Sequence, residues 1–261
     1  MKSIQSNIKK AKKYLDKNHC IAVPTETVYG LAGNAYSDQS VKKIFKLKKR
    51  PTNNPLIVHY SDINKLEDDC VVNDNFIKLY NKFSPGPITF ILKLKKGSKI
   101  SKFVTNKQKS LAVRFPKHPL FRKLLKSLDY PLAAPSANMS TRLSSVKATD
   151  VIEEFGSKIK YVLDGGKCKI GLESTIVNLL DKPTILRYGG LDILKIKKVL
   201  NKKCFGKRIA MLFCLLVTYL EILEFFFNFK INVIGPGDSL RYSLIKLSFI
   251  TQSFLSLSIS A

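Results

Sequence analysis

Short apolar runs that read as strands alternate with stretches of helical spacing as far as about residue 200, and this alternation limits the possible folds more than any bulk figure. Ile4, Ile8, Ala11 and Leu15 recur at helical spacing over residues 3–17, with lysines opposite them. HCIAVP (19–24) is a short apolar run stopped by Pro24. Residues 37–49 read as a helix with Ser37 as N-cap and Val41, Ile44, Phe45 and Leu47 on its apolar side. Pro51 restricts Arg50 and ends it. PLIVHY (55–60) and ITFILKL (88–94) read as strands around a helix at 73–83. Further strands are expected at 110–115, 131–134, 160–164, 174–180 and 183–187, and helices near 118–127, 146–155 and 191–200. Such alternation predicts a single α/β or α+β domain of one mixed sheet with flanking helices.

The pattern stops near Lys203, so the expected division is a main domain over 1–203 and an atypical hydrophobic tail over 204–261. Residues 205–261 hold five of the 45 basic residues and three of the 19 acidic ones. The first 204 residues therefore carry 40 cations against 16 carboxylates, +24 of the net +26. IAMLFCLLVTYLEILEFFFNF (209–229) has 17 apolar residues in 21, enough to span a bilayer, although Glu221 and Glu224 oppose it. A membrane-associated or interfacial helix, a buried helix of a small second domain, and an altered reading frame all account for this tail. The charge of the main part predicts attraction to polyanions such as RNA or nucleotides, or to an anionic membrane surface. A lysine-rich codon bias explains the same number equally well.

Cys20, Cys70, Cys168, Cys204 and Cys214 form no CxxC pair and no cluster with His19, His59 or His118. No structural metal site is expected, and reduced thiols suit a cytosol. The first nineteen residues lack the apolar core of a signal peptide, which places the chain in the cytoplasm. GxxxxGK[ST], a strand-linked GxGxxG and GxSxG are all missing, so any anion site must be assembled from separated segments.

Five segments supply such groups. VPTETVYGLAGNA (23–35) leaves a strand into a turn bearing Thr25 and Thr27. KLKKRPTNNPLIVH (46–59) packs four cations into five residues, then offers Asn54 and His59 around a strand. SLAVRFP (110–116) sets Arg114 at a strand end, where a buried guanidinium calls for a carboxylate partner. PLAAPSANMSTRLSS (131–145) is dense in hydroxyls, Ser136, Ser140, Thr141, Ser144 and Ser145, which suit phosphate oxygens and ribose. GLESTIVNLLDKPTILRYGG (171–190) carries Ser174 and Arg187. Taken singly, each has an ordinary explanation as a surface charge, a polar loop or an edge histidine. Together they recur where strands end, the place where open α/β sheets bind ligands.

At these same residues the sequence resembles the YrdC-like family of threonylcarbamoyl-AMP synthases. PTETVYGLAGNA, KKRPTNNPLIVH, FSPGPITFIL, LAVRFPKHP, PLAAPSANMSTR and GLESTIVNL…ILRYGG look like the family's blocks in the family's order, over about residues 4–200. The resemblance implies a YrdC-like twisted open mixed sheet. It implies an L-threonylcarbamoyladenylate synthase, a nucleotidyltransferase that turns L-threonine, bicarbonate and ATP into threonylcarbamoyl-AMP and pyrophosphate, with Mg²⁺ accompanying ATP and no organic cofactor. A partner transferase would then modify the adenosine beside the anticodon of tRNA. Carried over residue by residue, threonine binding falls to Thr27, His59, Arg114, the backbone at Ala134, and Ser174. ATP binding falls to Lys48, Arg50, Asn54, Ser110, Ser136, Ser144 and Arg187, with Lys48, Arg50 and Arg187 neutralising the triphosphate as the catalytic set. Ser110 stands where Thr is usual, and Leu143 where Pro is usual. The family's linker segment has only a faint echo in IGPGDSLRYS (234–243). The alternative from another class is a double-stranded RNA or tRNA-binding module of the same fold that makes no adenylate.

Overall fold

A computed structural model describes residues 2–200 and the pair 205–206. Along the chain run α1 (Lys2–Asp16), β1 (Ile21–Val23), β2 (Gly30–Asn34), α2 (Asp38–Lys48), β3 (Ile57–His59), α3 (Ile63–Glu67), β4 (Cys70–Val71), α4 (Asp74–Phe83) and β5 (Ile88–Leu94). There follow α5 (Lys102–Thr105), β6 (Ser110–Arg114), α6 (Pro119–Lys126), β7 (Leu132–Ala133), α7 (Ala148–Phe155), β8 (Thr175–Asn178), β9 (Thr184–Arg187), α8 (Ile193–Leu200) and β10 (Phe205–Gly206).

The strands form one open mixed sheet in the order β1-β2-β7-β3-β6-β5-β8-β9-β10, with β4 paired to β5. β3 with β6, β5 with β8, and β9 with β10 run parallel, whereas the other neighbours run antiparallel. The twisted open mixed sheet expected from the sequence is therefore present. It takes in Phe205 and Gly206, just beyond the expected boundary at 203. The rest of the 204–261 tail lies outside the described residues. Among the described residues no helix is long and apolar enough to cross a membrane.

Local chemistry explains the boundaries. The Ser37 hydroxyl accepts from the Ser40 amide at 3.3 Å and starts α2, and Lys49 ends it in the left-handed region with φ 49°. Asn73 caps α4 through Phe76 N at 2.9 Å. Residues 160–164 were expected to be a strand but form only a bridge from Val162 to Ala22, because no neighbouring edge continues the ladder. β2, GLAGN, was not anticipated, since two glycines and no β-branched residue hide it. It is a strand because β1 and β7 pair with it on both sides.

Side-chain alternation divides the sheet's two faces. Ile88, Phe90 and Leu92 of β5 point with Leu111 and Val113 of β6 into the larger core, under α2 and α4. A second core packs Ala11 and Leu15 of α1 and Phe121, Leu124 and Leu125 of α6 against Ile21, Ala32 and Leu132. That second layer covers β1, β2 and β7. Over β3, β6, β5 and β8 the same face opens into a cavity.

One buried carboxylate ties the larger core together. Asp69, 1% exposed, accepts hydrogen bonds from Tyr36 (3.0 Å), Tyr60 (2.9 Å) and Ser98 (2.6 Å). Removing it strands the buried Tyr60 hydroxyl, which costs most, and takes the acceptor from the half-buried Tyr36 and Ser98 hydroxyls. Asp69→Ala is expected to lower unfolding free energy by about 3 kcal/mol in urea denaturation; a loss below about 1 kcal/mol would show that the hydroxyls find other partners.

Candidate functional site

Strand register brings distant residues into one line. His59 of β3 stands beside Arg114 of β6, Arg114 beside Thr89 of β5, Thr89 beside Ile176 of β8, and Ile176 beside Arg187 of β9. Neighbouring strands lie about 4.8 Å apart, so the row spans about 19 Å from His59 to Arg187. Two residues back, Ile57, Ala112 and Ile91 make the next row and an apolar floor. Above these rows lies a cavity of about 260 Å³. Loops from the sheet's edges complete its walls, with Arg50 and Asn54 after α2, Ala134 and Ser136 after β7, and Glu173 and Ser174 before β8.

Arg114 is buried near one end of the row, next to His59. Its Nη2 donates to Glu26 Oε1 and to Thr27 Oγ1, each at 2.8 Å. Glu26 Oε2 in turn accepts from the Lys117 amide at 2.8 Å. Burial alone would raise the Glu26 carboxyl, but Arg114 and that amide outweigh it and hold the group below its ordinary value. Thr27 is fixed by its neighbour, for the Thr25 hydroxyl lies 2.8 Å from the Thr27 hydroxyl and caps the turn by donating to Val28 O at 2.7 Å.

Three buried nitrogens of the row have no partner. Arg114 Nε lacks a hydrogen bond, and neither ring nitrogen of the buried His59 forms a well-aligned one, although the backbone of Leu132 and Ile57 lies beside the ring, which is 5.4 Å from that of Phe121. Burial pushes the His59 imidazole well below 6.5, and the Arg114 charge adds to this, so the ring is neutral at physiological pH. Buried polar atoms without partners are rare in folded proteins, and these three belong to residues that line the cavity.

At the other end of the row Arg187 is clamped. Its Nε donates to Ser174 O at 3.0 Å, its Nη2 to Ser174 Oγ at 3.1 Å, and its Nη1 to Glu173 Oε2. Ser174 Oγ also meets Thr89 Oγ1 at 2.7 Å. Gly189 permits this arrangement, since a Cβ there would fall 2.3 Å from Glu173 O and 2.5 Å from Ser174 C. Arg50 is held by Asn54 O (3.2 Å) and Pro55 O (3.1 Å), which fixes its guanidinium at the mouth.

Of the residues singled out from the sequence, Arg50, Asn54, His59, Arg114, Ala134, Ser136, Ser174 and Arg187 line the cavity, and Thr27 touches it through Arg114. Ser144 reaches its edge by donating to Glu173 at 3.1 Å. Two are placed differently. Lys48 is 1% exposed, and its ammonium donates to Ser136 O at 2.5 Å and to Asn138 O, so it fastens the serine loop and does not open into the cavity. Burial, then the neighbouring Arg50, draws that ammonium down to about 8. Ser110 shares the face of Ala112 and Arg114 but sits four residues upstream, about 13 Å away along the strand. Glu26, Thr89 and Glu173 escaped the sequence reading. Their signal was the demand of each buried arginine for an anion, and Glu26 and Glu173 stand within segments already marked out. Among the described residues no group of three or more His, Cys, Asp or Glu side chains is placed to hold a metal ion.

A family model, Sua5/YciO/YrdC, described as telomere recombination, matches residues 13–189. The threonylcarbamoyl-AMP synthase of Pyrococcus abyssi is 39% identical over 197 residues, covering 75% of this chain and 57% of the relative. That of Bacillus subtilis is 42% identical over 196 residues, covering 74% and 56%. The crystal structure of P. abyssi Sua5 complexed with L-threonine superposes with a TM-score of 0.71 at 39% identity, over 74% of this chain and 56% of that one. E. coli YciO, at 22% identity and TM-score 0.64 over 72% of this chain and 92% of its own, shares the fold. The chain thus spans about half the length of these curated synthases.

The unpartnered imidazole has a consequence for stability. An unfolded His59 takes a proton near pH 6.5 and the folded one does so only at lower pH, so acidification favours unfolding. Below about pH 6.5 each such ring costs about 1.4 kcal/mol per pH unit. His59→Gln should flatten the fall in urea stability between about pH 7 and pH 5 by that amount relative to the unaltered protein. Equal slopes in the two proteins would mean that His59 is charged when folded.

Proposed function

The chain belongs to the Sua5/YciO/YrdC family, and on that premise we propose that it is an L-threonylcarbamoyladenylate synthase, joining L-threonine, bicarbonate and ATP into threonylcarbamoyl-AMP with release of pyrophosphate. The observation that carries this reading is the row itself. It sets the unpartnered nitrogens of His59 and Arg114 at one end of a cavity whose other end and mouth hold Arg187 and Arg50. One end suits a small zwitterion and the other a polyphosphate.

In this reading the threonine carboxylate takes the vacant donors of Arg114. His59, neutral, meets the amine or hydroxyl beside Thr27, the backbone at Ala134, and Ser174. The amine must lose its proton to condense with bicarbonate, giving a carbamate and water. A carbamate oxygen then attacks the α-phosphorus of ATP, and the bond from that phosphorus to the bridging oxygen breaks as pyrophosphate leaves. No side chain forms a covalent intermediate. Placement of the two substrates in line and neutralisation of charge do the catalysis.

Arg50, Asn54, Ser136 and Arg187 face the polyphosphate, and Ser144 joins them through Glu173. Lys48 serves the same wall by fixing the Ser136 loop. Ser110, on the same face of β6, is left for the part of the nucleotide that extends beyond the cavity. Glu173 is the one carboxylate lining the cavity among the described residues, so a Mg²⁺ accompanying the nucleotide would be held chiefly by phosphate oxygens and would there neutralise their charge. The adenylate passes to a transferase that acts on the adenosine beside the anticodon of tRNA in the cytoplasm. The +24 charge of residues 1–204 favours contact with RNA during that transfer.

Pyrophosphate release that requires threonine and bicarbonate together tests the activity. Arg114→Lys retains the charge and the Glu26 pairing but loses the planar fork. It is expected to raise the KM for threonine about 100-fold while the KM for ATP stays within about threefold. An unchanged threonine KM would remove Arg114 from carboxylate recognition.

A further inference from the structure

Glu173 is a carboxylate in the wrong place for a pocket that takes a polyphosphate. It lines the cavity beside Arg50, Arg114 and Arg187, and no other acid among the described residues does so. Its Oε2 occupies Nη1 of Arg187, and its Oε1 accepts from Ser144 at 3.1 Å. About a third of the Glu173 side chain is exposed, so neither burial nor packing demands an acid there. Burial draws the Lys48, Arg50 and Arg187 cations down, and Glu173 is a carboxylate that opposes this at all three.

The other bonds of Arg187 are to the carbonyl and the hydroxyl of Ser174, neutral groups of the residue just before β8. Glu173 is therefore the charged member among the partners of that guanidinium, the one for which a phosphate would substitute charge for charge. We propose that Glu173 is a resident anion that occupies Arg187 in the empty pocket and must give way when a polyphosphate enters, so that it sets how tightly phosphate groups are held and how readily they leave. The proposal rests on the adenylate-forming reading above, which supplies the polyphosphate. Its chemistry is competition between a carboxylate and a phosphate for one guanidinium fork, with no bond made or broken.

A carboxylate left beside the bound anion would repel it, so displacement or repulsion weakens binding in either case. The benefit lies with the product. Pyrophosphate carries its charge on a small frame and would be retained by Arg50 and Arg187 without a competitor.

Titration of the full chain with inorganic pyrophosphate, followed by calorimetry, reads this directly. Glu173→Gln keeps the size and an acceptor oxygen for Arg187 while removing the charge, and a thermal melt confirms that it folds. The variant is expected to bind pyrophosphate about tenfold more tightly than the unaltered protein. In turnover its KM for ATP and its kcat should fall together, because the product leaves more slowly. A crystal structure with pyrophosphate should show the Arg187–Glu173 contact broken. Equal or weaker binding by Glu173→Gln, or an intact contact with pyrophosphate bound, overturns the proposal and leaves the adenylate reading standing. Failure of both proteins to bind pyrophosphate would bring down that reading and this proposal with it.

Discussion

The buried contact of Arg114 with Glu26 and Thr27 is the interaction on which the site depends. A guanidinium in the middle of a sheet is tolerable only if its charge is answered, and removing either member of such a pair leaves an uncompensated charge in a poor solvent. Glu26 answers it from the turn after β1, which is why that turn must lie against the end of β6. The same contact leaves Nε of Arg114 without a partner, and Arg114 and His59 both line the cavity. Structure and recognition therefore draw on different atoms of one side chain. Glu26 stabilises the arginine while leaving donors for a ligand.

From that centre the sheet's register does the assembling. Parallel pairing of β3 with β6 and of β5 with β8, and antiparallel pairing between these couples, align residues 59, 114, 89, 176 and 187. A slip of one residue in any strand would turn its contribution into the core. The apolar row behind, Ile57, Ala112 and Ile91, supplies the register's insurance, because its members have alternate neighbours deep in the larger core. Hydrophobic patterning that makes the fold thus also fixes where the charges stand.

Much of this was legible in the sequence, unevenly. Strands rich in β-branched and aromatic residues, such as ITFILKL, and the capped helix after Ser37 carry their own local signal. So do the polar residues at strand ends, most of which meet in one cavity. GLAGN carries no such signal, for its pairing on both sides comes from tertiary structure alone. Lys48 was legible as a cation close to the site but not in its direction, since a flexible four-carbon stem reaches either the cavity or the loop carbonyls of Ser136 and Asn138. Glu26 and Glu173 were hidden by their surroundings. Each is one acid among threonines or glycine and serine, and its role appears only when the partner arginine's burial is known.

The bond from Lys48 to the serine loop has a mechanical side. The ammonium at the end of α2 grips the carbonyls of Ser136 and Asn138, and the Lys48 carbonyl accepts from the Ser140 amide at 2.9 Å. Two walls of the cavity that are 88 residues apart in the chain are thereby riveted together. Arg50, two residues past this rivet, and Ser136 thus keep a fixed spacing, and the cavity cannot widen between them without breaking those bonds.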